Sequence, residues 1–145
     1  MDNTAAPVIC KPLAHGAAIV LHSLTKFIGG HGTSIGGIVV DGGNFDWIKN
    51  RKRQPLLNEP DQSYGGAIWT DAVPVLTGAN IPFIIRFRVV LLRDTGAPLA
   101  PFNAWQIIQG LETVGLRMKQ HCANAEKVVT FLETQKKVKN VIYPT

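Results

Sequence analysis

The feature that most constrains the fold is a short apolar run that leads into a lysine and a glycine-rich loop. Residues 17–23 read AAIVLHS and predict a buried strand. Thr25 and Lys26 follow within three residues, and residues 29–37 read GGHGTSIGG. A lysine is therefore placed just past a strand end, beside hydroxyls and beside a loop whose backbone can approach a ligand closely.

This arrangement suits a cofactor that carries both an aldehyde and a phosphate, such as pyridoxal phosphate (PLP). A lysine amine attacks an aldehyde only when neutral, and desolvation or nearby positive charge lowers its pKa from about 10.4. The hydroxyls of Ser23 and Thr25 can donate to a phosphate. Asp2 is a candidate partner for the pyridine nitrogen if its strand lies parallel to residues 17–23. The same residue types are common in ordinary turns, so spacing alone leaves a structural loop open.

Other segments predict a mixed α/β chain. Residues 36–41 read GGIVVD and predict a second strand, and Asn44 is expected to cap a short helix that runs through Ile48. Residues 54–80 carry prolines, glycines and polar residues and predict irregular structure, with a short helix around residues 70–76. Residues 82–93 have apolar side chains at helical spacing and predict a further helix.

The clearest periodic element covers residues 102–135. Its apolar residues recur in steps of three and four, which predicts one long helix with a packing stripe: Ile108, Leu111, Gly115, Met118, Cys122, Ala125, Val129 and Leu132. Gly110 and Gly115 weaken the helix locally and favour close packing or a bend. Residues 138–143 are expected to begin another strand.

Composition narrows the class of protein. Hydrophobic residues make up 46% of the chain and charged residues 17%, which is typical of a globular protein. The apolar runs are far shorter than the ~20 residues of a membrane helix, and no signal peptide is visible, so we expect a cytoplasmic protein.

The net charge of +5 lies partly in residues 49–53. We interpret this run as a solvated face and not a nucleic-acid site, because no aromatic residues interleave with it. Cys10 and Cys122 match no metal spacing and are expected to be thiols.

Several motifs carry a family resemblance. They are Asp2-Asn3-Thr4, residues 15–17, 23–26, 29–37, 41–43, 45–47, 92–96, 101–105, 109–113, 116–118 and 124–125. Together they resemble the cysteine/methionine-metabolism family of PLP-dependent enzymes, which has the aspartate-aminotransferase type of fold (fold type I). Residues 29–37 are similar to the O-acetylhomoserine sulfhydrylase branch, whereas the cystathionine lyases and synthases usually differ after the Gly-His pair.

The resemblance implies a role for each candidate site residue. Lys26 matches the Schiff-base lysine, which shuttles protons at the substrate α and β carbons. Asp2 matches the aspartate that pairs with the pyridine nitrogen. Ser23 and Thr25 match the hydroxyls that hold the phosphate. The implied reaction is a γ-replacement in which sulfide or methanethiol displaces acetate from O-acetyl-L-homoserine and gives homocysteine or methionine.

The resemblance also implies a domain organisation. Residues 1–112 would form the C-terminal part of the large PLP-binding domain, and residues 113–145 the linking helix and the beginning of the small C-terminal domain. A homotetramer is implied for the full-length form. His22, His31 and Asn103 lie in matching motifs, and we expect structural roles for them.

Relative to the family, the chain corresponds to about the middle third. The glycine-rich phosphate loop, the aromatic residue that stacks on PLP and the arginine that binds the substrate carboxylate lie outside it. We therefore expect the isolated chain to fold poorly and to show little sulfhydrylase activity unless a companion fragment completes it.

Other interpretations stay open at this point. The chain can be a non-catalytic remnant or split subunit of such an enzyme, or part of a related PLP-dependent cystathionine synthase or lyase. Residues 23–26 also fit the S-x-x-K pattern in which a lysine activates a serine nucleophile. That pattern usually opens a helix, whereas here glycines follow at once. Nucleic-acid binding rests on residues 49–53 alone.

Overall fold

A small sheet forms the scaffold of the lysine region. The computed structural model describes residues 1–144. Strand β1 (Ile19–Ser23) pairs in antiparallel fashion with β2 (Gly37–Asp41), which confirms both predicted strands. The predicted burial of the first strand is wrong, since only Val20 of β1 is buried and Leu21 is exposed. Leu21 uses its backbone N–H and carbonyl to bond Met1 and Asn3 at the other edge of β1. Asp2 therefore lies beside β1 in the parallel sense that the sequence argument required.

The connection between the strands begins with a π-helical turn, Leu24–Ile28, hereafter the lysine turn. It is followed by a glycine loop in which Gly30 and Gly32 adopt φ angles of +76° and +67°. Residues other than glycine rarely adopt such φ angles. Glycine at these two positions therefore allows the loop to reverse direction. The reversal brings the chain back as β2.

Four helical segments follow the sheet. They are α1 (Pro55–Asn58), α2 (Trp69–Thr77), α3 (Pro82–Arg86) and, after the π-helical turn Phe87–Leu92, α4 (Arg93–Thr95). The helix α3, the π-helical turn and α4 run on without a break, because the residues at their junctions keep helical dihedral angles. The helices predicted near residues 70–76 and over 82–93 are thus confirmed. α1 was not predicted, because its four residues are too few to show a helical period.

The single long helix predicted over residues 102–135 is wrong. The structure has two helices, α5 (Pro101–Glu112) and α6 (Val114–Glu133), separated by Thr113 with φ −105° and ψ 1°. Within α5 the predicted stripe is also displaced, since Ile108 is 53% exposed and Leu111 49%. Within α6 it is largely confirmed, because Met118 is buried and the later members are half-buried: Cys122, Ala125, Val129 and Leu132. The buried positions around the break are Ile107, Gly110, Val114 and Met118. The corner at Thr113 lets both helices face the lysine turn, which a straight helix would not allow.

Two other predictions fail for local reasons. No helix follows Asn44; instead the Asp46 carboxylate accepts the backbone N–H groups of Ile48 and Lys49, at 3.2 and 3.0 Å, and forms a polar turn. The basic run continues as a short 3₁₀ turn, Arg51–Arg53, with exposed side chains. Residues 138–143 are not a strand, and no strand of the described chain lies beside them to pair with.

The apolar core is divided into two clusters. One joins the lysine turn to the corner of α5 and α6 through Ile28, Ile107, Val114 and Met118. The other joins the helices to the segment after β2, through Trp47, Leu57, Trp69 and Val73. Trp47 stacks on Phe83 at 5.7 Å between ring centroids. Each cluster is small, so the stability of the chain does not rest on one continuous core.

The chain leaves an unusually large surface uncovered. A compact monomer of 15.8 kDa is expected to expose about 7,300 Å², whereas this chain exposes 10221 Å². The difference is as large as the area that substantial protein interfaces bury. Many large apolar side chains lie on this surface, among them Ile35, Leu56, Val75, Leu76, Phe102, Trp105, Leu116 and Phe131.

Within residues 1–144, no single helix has both the length and the apolar character needed to cross a membrane. Two neighbouring helical stretches, Trp69–Thr77 and Pro82–Thr95, reach that length and composition only when taken together, and they are bent by 100° relative to each other.

The exposed apolar surface predicts self-association of the isolated chain. Removing such surface from water is favourable, at about 25 cal/mol per Å², and no residue of the described range 1–144 covers it. Sedimentation velocity over a range of concentrations should show species larger than a monomer. A monodisperse monomer with one sharp, cooperative melting transition would contradict this expectation.

Two helical glycines provide a matched test of the corner packing. A Cβ on Gly110 would lie well inside contact distance of the Gly29 carbonyl oxygen, whereas a Cβ on Gly115 would meet nothing within 4 Å. We expect Gly110→Ala to destabilise the chain by about 1–3 kcal/mol through overpacking. Gly115→Ala should instead stabilise it by about 0.5–1 kcal/mol, since alanine favours helix.

Urea unfolding followed by circular dichroism at the helical band compares the two glycine variants directly. If Gly110→Ala unfolds at the same urea concentration as Gly115→Ala, the close approach of α5 to the lysine turn is wrong.

Candidate functional site

Lys26 lies on the lysine turn, directly after β1. Its φ and ψ angles of −88° and −121° leave the helical region, so the backbone kinks at this residue. The backbone after the kink is fixed, because Gly29 donates to the Leu24 carbonyl at 2.8 Å and Gly30 to the Lys26 carbonyl at 2.7 Å. The Lys26 side chain is exposed. The turn thus presents a surface amine on a backbone with defined geometry.

Thr25 ties the lysine turn to the start of β2. Its hydroxyl oxygen accepts the backbone N–H of Gly36 at 3.0 Å. The same hydroxyl lies 3.4 Å from the Gly36 carbonyl, a long contact that is weak as a hydrogen bond. A threonine hydroxyl has one proton and two acceptor sites. Thr25 therefore supports the loop and still keeps a proton available for a stronger acceptor.

Asp2 and Ser23 are linked by Thr4. The Asp2 carboxylate accepts the backbone N–H of Thr4 at 2.8 Å, and the Thr4 hydroxyl oxygen accepts the backbone N–H of Ser23 at 2.8 Å. Hydrogen bonds from Thr4, first from its side chain and then from its backbone, hold the pKa of Asp2 below its ordinary value. Asp2 is therefore a firmly ionised carboxylate at neutral pH.

A broad groove of about 1090 Å³ runs along the sheet edge beside these residues. Asp2, Ser23 and His22 line it, together with Arg88 and Asn103 from the helical side. Lys26 and Thr25 do not line this groove. The structure therefore brings Asp2, Thr4 and Ser23 together, while Lys26 and Thr25 lie on the adjoining turn.

His22 and Asn103 line the groove, whereas His31 lies on the glycine loop away from it. His31 packs locally, with Nδ1 2.8 Å from the Gly29 carbonyl oxygen. The Nδ1 atom of His22 is buried without a hydrogen-bond partner in the described chain. Asn103 lines the groove at the first turn of α5. Structural roles for these residues remain predictions.

With this geometry in hand, comparison with known proteins identifies the family. The family model described as Cys/Met metabolism PLP-dependent enzyme matches residues 1–145. The chain belongs to this family. The O-acetyl-L-homoserine sulfhydrylase of Leptospira meyeri is 50% identical over 148 residues, which cover 99% of this chain and 33% of that protein.

Solved structures of this PLP-dependent family agree in fold. A putative O-acetylhomoserine (thiol)-lyase from Campylobacter jejuni is 40% identical, with a TM-score of 0.79 over 97% of this chain and 33% of that chain. Its crystal structure contains N′-pyridoxyl-lysine-5′-monophosphate. Cystathionine γ-lyase from Lactobacillus plantarum is 29% identical, with a TM-score of 0.59 over 94% of this chain and 26% of that chain. The chain has the α/β fold of part of a fold type I enzyme.

The chain spans about a third of the length of the relatives that it matches. That agrees with the expectation, drawn from the motifs, that the chain corresponds to about a third of the family's length. The residues of the sheet edge fit PLP, the cofactor of the family, in their chemistry. An ionised, exposed Asp2 suits a protonated ring nitrogen, the Ser23 hydroxyl lines the same groove, and the Lys26 amine is accessible.

Sequence reasoning missed Thr4 as a member of the site. Thr4 stands in the Asp2-Asn3-Thr4 motif, for which only the aspartate was predicted to have a role. An aspartate two residues before a threonine is a common pattern for a side chain that accepts a nearby backbone N–H. That pattern was visible; the bond from Ser23 to Thr4 was not, because it joins residues 19 apart.

The link through Thr4 predicts the titration of Asp2. Thr4→Val removes the hydroxyl and keeps the backbone N–H, so the pKa of Asp2 should rise part of the way toward its ordinary value near 3.8. Carboxyl-carbon NMR during an acid titration measures it. The lowered pKa stabilises the folded chain at pH values above the ordinary pKa of an aspartate. This stabilisation is lost as the pH falls through the lowered pKa of Asp2.

Thr134→Val serves as the control, because that hydroxyl donates only to the nearby Phe131 carbonyl at the end of α6. An unchanged Asp2 titration in Thr4→Val would show that the Thr4 hydroxyl does not lower the pKa of this carboxylate.

Proposed function

We propose that the chain is part of a PLP-dependent enzyme that carries out γ-replacement on O-acetyl-L-homoserine. Sulfide or methanethiol would displace acetate and give homocysteine or methionine. The observation that carries the proposal is the position of Lys26 on a kinked turn directly after β1. Ionised Asp2 forms a parallel bridge with Leu21 of the same strand. The 50% identity to an O-acetyl-L-homoserine sulfhydrylase supports the choice of reaction within the family.

Each candidate residue then has a distinct chemical task. PLP supplies an electron-withdrawing ring that stabilises negative charge at the substrate α carbon. The Lys26 amine holds the cofactor and then moves protons at the substrate α and β carbons. The Asp2 carboxylate keeps the ring nitrogen protonated. The hydroxyls of Ser23 and Thr25 donate to the phosphate.

Thr25 has two tasks in this proposal. Its oxygen accepts the N–H of Gly36 and so fixes the first residues after the glycine loop. Its proton, which has only a long contact at 3.4 Å to the Gly36 carbonyl, is free to turn to a phosphate oxygen. A charge-assisted hydrogen bond of that kind is shorter and stronger than one to a neutral carbonyl.

The remaining parts of the proposal concern the larger assembly. We propose that residues 1–112 belong to the large PLP-binding domain and residues 113–145 to the link with the small domain. The full-length form would act in the cytoplasm as a homotetramer. The uncovered surface of the isolated chain supports burial against further protein, although it does not define the number of subunits.

A non-catalytic remnant or split subunit is the second candidate function. The division of the core into two clusters favours it, because a chain with so little continuous core depends on other protein for stability. In that case the same residues would contribute packing and no turnover. The two functions are distinguished by whether the Lys26 amine still reacts with PLP.

Covalent capture of PLP at Lys26 tests the proposed function. The purified chain is incubated with PLP, reduced with borohydride and digested, and the pyridoxyl-modified lysine is located by mass spectrometry. We expect modification at Lys26 at PLP concentrations that leave the other lysines unmodified. Lys26→Ala should abolish it, whereas Lys49→Ala, an exposed lysine in the basic run, should leave it unchanged.

Equal modification of Lys26 and the other surface lysines would contradict the proposal of a PLP site in this chain. The remnant interpretation would then be the better one. Addition of a companion fragment that carries the rest of the family's length would distinguish an incomplete site from an absent one.

A further inference from the structure

The end of the lysine turn is held by a residue that the proposed function does not use. Arg117 lies in the first turn of α6 and is half-buried. One guanidinium nitrogen, Nη1, donates to the Phe27 carbonyl at 2.6 Å. The other, Nη2, donates to the Ile28 carbonyl at 2.8 Å. The two carbonyls are the first and second after Lys26.

The same guanidinium also holds the corner between α5 and α6. Nη2 donates to the Gly110 carbonyl at 2.8 Å, and Nε donates to the Thr113 hydroxyl at 3.1 Å. Gly110 is near the C-terminal end of α5, where carbonyl groups lack helical partners and carry partial negative charge. A single planar cation thus joins the ends of two helical segments.

Arg117 has no carboxylate partner within 4.0 Å among residues 1–144. A half-buried cation without a counter-ion is retained only where other groups replace its hydration. Here four oxygen atoms do so, and three of them are backbone carbonyls. A lysine has one donor centre and cannot reproduce this fork.

The glycine loop is shaped around the guanidinium. A Cβ on Gly30 would lie 2.6 Å from Nη1 of Arg117, so a larger residue there would displace it. Gly30 in turn donates its N–H to the carbonyl of Lys26 itself. The backbone on the C-terminal side of Lys26 is therefore held directly by Arg117 at two carbonyl groups, and Gly30 leaves room for the guanidinium that makes these bonds.

We propose that Arg117 is a positioning residue for Lys26. It holds the Phe27 and Ile28 carbonyls against the α5–α6 corner, keeps the kink at Lys26 in place, and so sets the direction in which the amine leaves the turn. It touches neither substrate nor cofactor. This inference rests on the proposed function, because it gives the orientation of Lys26 a chemical purpose.

Amide hydrogen exchange tests the clamp without any cofactor, in the 145-residue chain assembled with the companion fragment that carries the rest of the family's length. In Arg117→Gln, the amides of Gly29 and Gly30 should exchange about tenfold faster or more, as expected for loss of hydrogen bonds to a charged donor. The paired amides of β1 and β2 should be unchanged. Arg51→Gln is the control, because Arg51 forms only an exposed ion pair with Asp71.

Capture of PLP at Lys26, by reduction and peptide mapping, tests the effect on the amine. The rate of capture should fall about tenfold or more in Arg117→Gln and by less in Arg117→Lys, which restores one donor centre. Arg51→Gln should leave it unchanged. This graded rescue separates positioning from general loss of stability, since urea midpoints are measured for every variant.

The outcomes distinguish the two proposals. If Lys26 of the unaltered chain captures no PLP, the proposed function fails, and hydrogen exchange still decides whether the clamp exists. Equal capture by Arg117→Gln and the unaltered chain overturns the positioning role, as does fast exchange of Gly29 and Gly30 in both. If Arg117→Gln fails to fold, Arg117→Lys and Thr113→Val decide, and unchanged capture and exchange in both overturn the inference.

Discussion

The close approach of α5 to the lysine turn is the contact on which the rest of the site depends. Gly110 faces Gly29 with no side chain between them, so two backbones meet directly. This distance lets Ile107 pack on Ile28 and lets Val114 join the same cluster from the next helix. It also brings three carbonyl groups within reach of one guanidinium. A larger residue at either glycine would separate the turn from its support.

The sheet gives the site a second, independent support. Thr4 holds Asp2 and Ser23 in one chain of hydrogen bonds at the sheet edge. Thr25 joins the lysine turn to Gly36, and Ser34 donates to Gln106 of α5. The carboxylate is thus held at the sheet, and the backbone just after Lys26 is held at the helical corner. Their relative position depends on the few bonds that cross between these two parts.

Local patterns predicted the elements but not the exact position of the corner. The strands at residues 19–23 and 37–41 and the helices near residues 70–76 and 82–93 follow from apolar periodicity and from glycine and proline signals. Gly110 and Gly115 indicated close packing or a bend in the next helix, and the break at Thr113 lies between them. The choice of Thr113 depends on packing against the lysine turn. Within α5 the buried position consequently shifts by one residue, from Ile108 to Ile107, which no pattern within the helix reveals.

The same distinction holds for the site. Lys26, Asp2 and Ser23 could be named because each stands at a strand end, where a parallel arrangement gathers side chains. The supports of these residues could not be predicted, since Thr4 reaches Ser23 across 19 positions and Arg117 reaches Phe27 across 90. A reactive side chain must be of a particular chemical type, so it can be recognised in the sequence as part of a motif. A residue that holds a carbonyl in place is chosen by a distance in the folded chain, and many sequence positions could supply it.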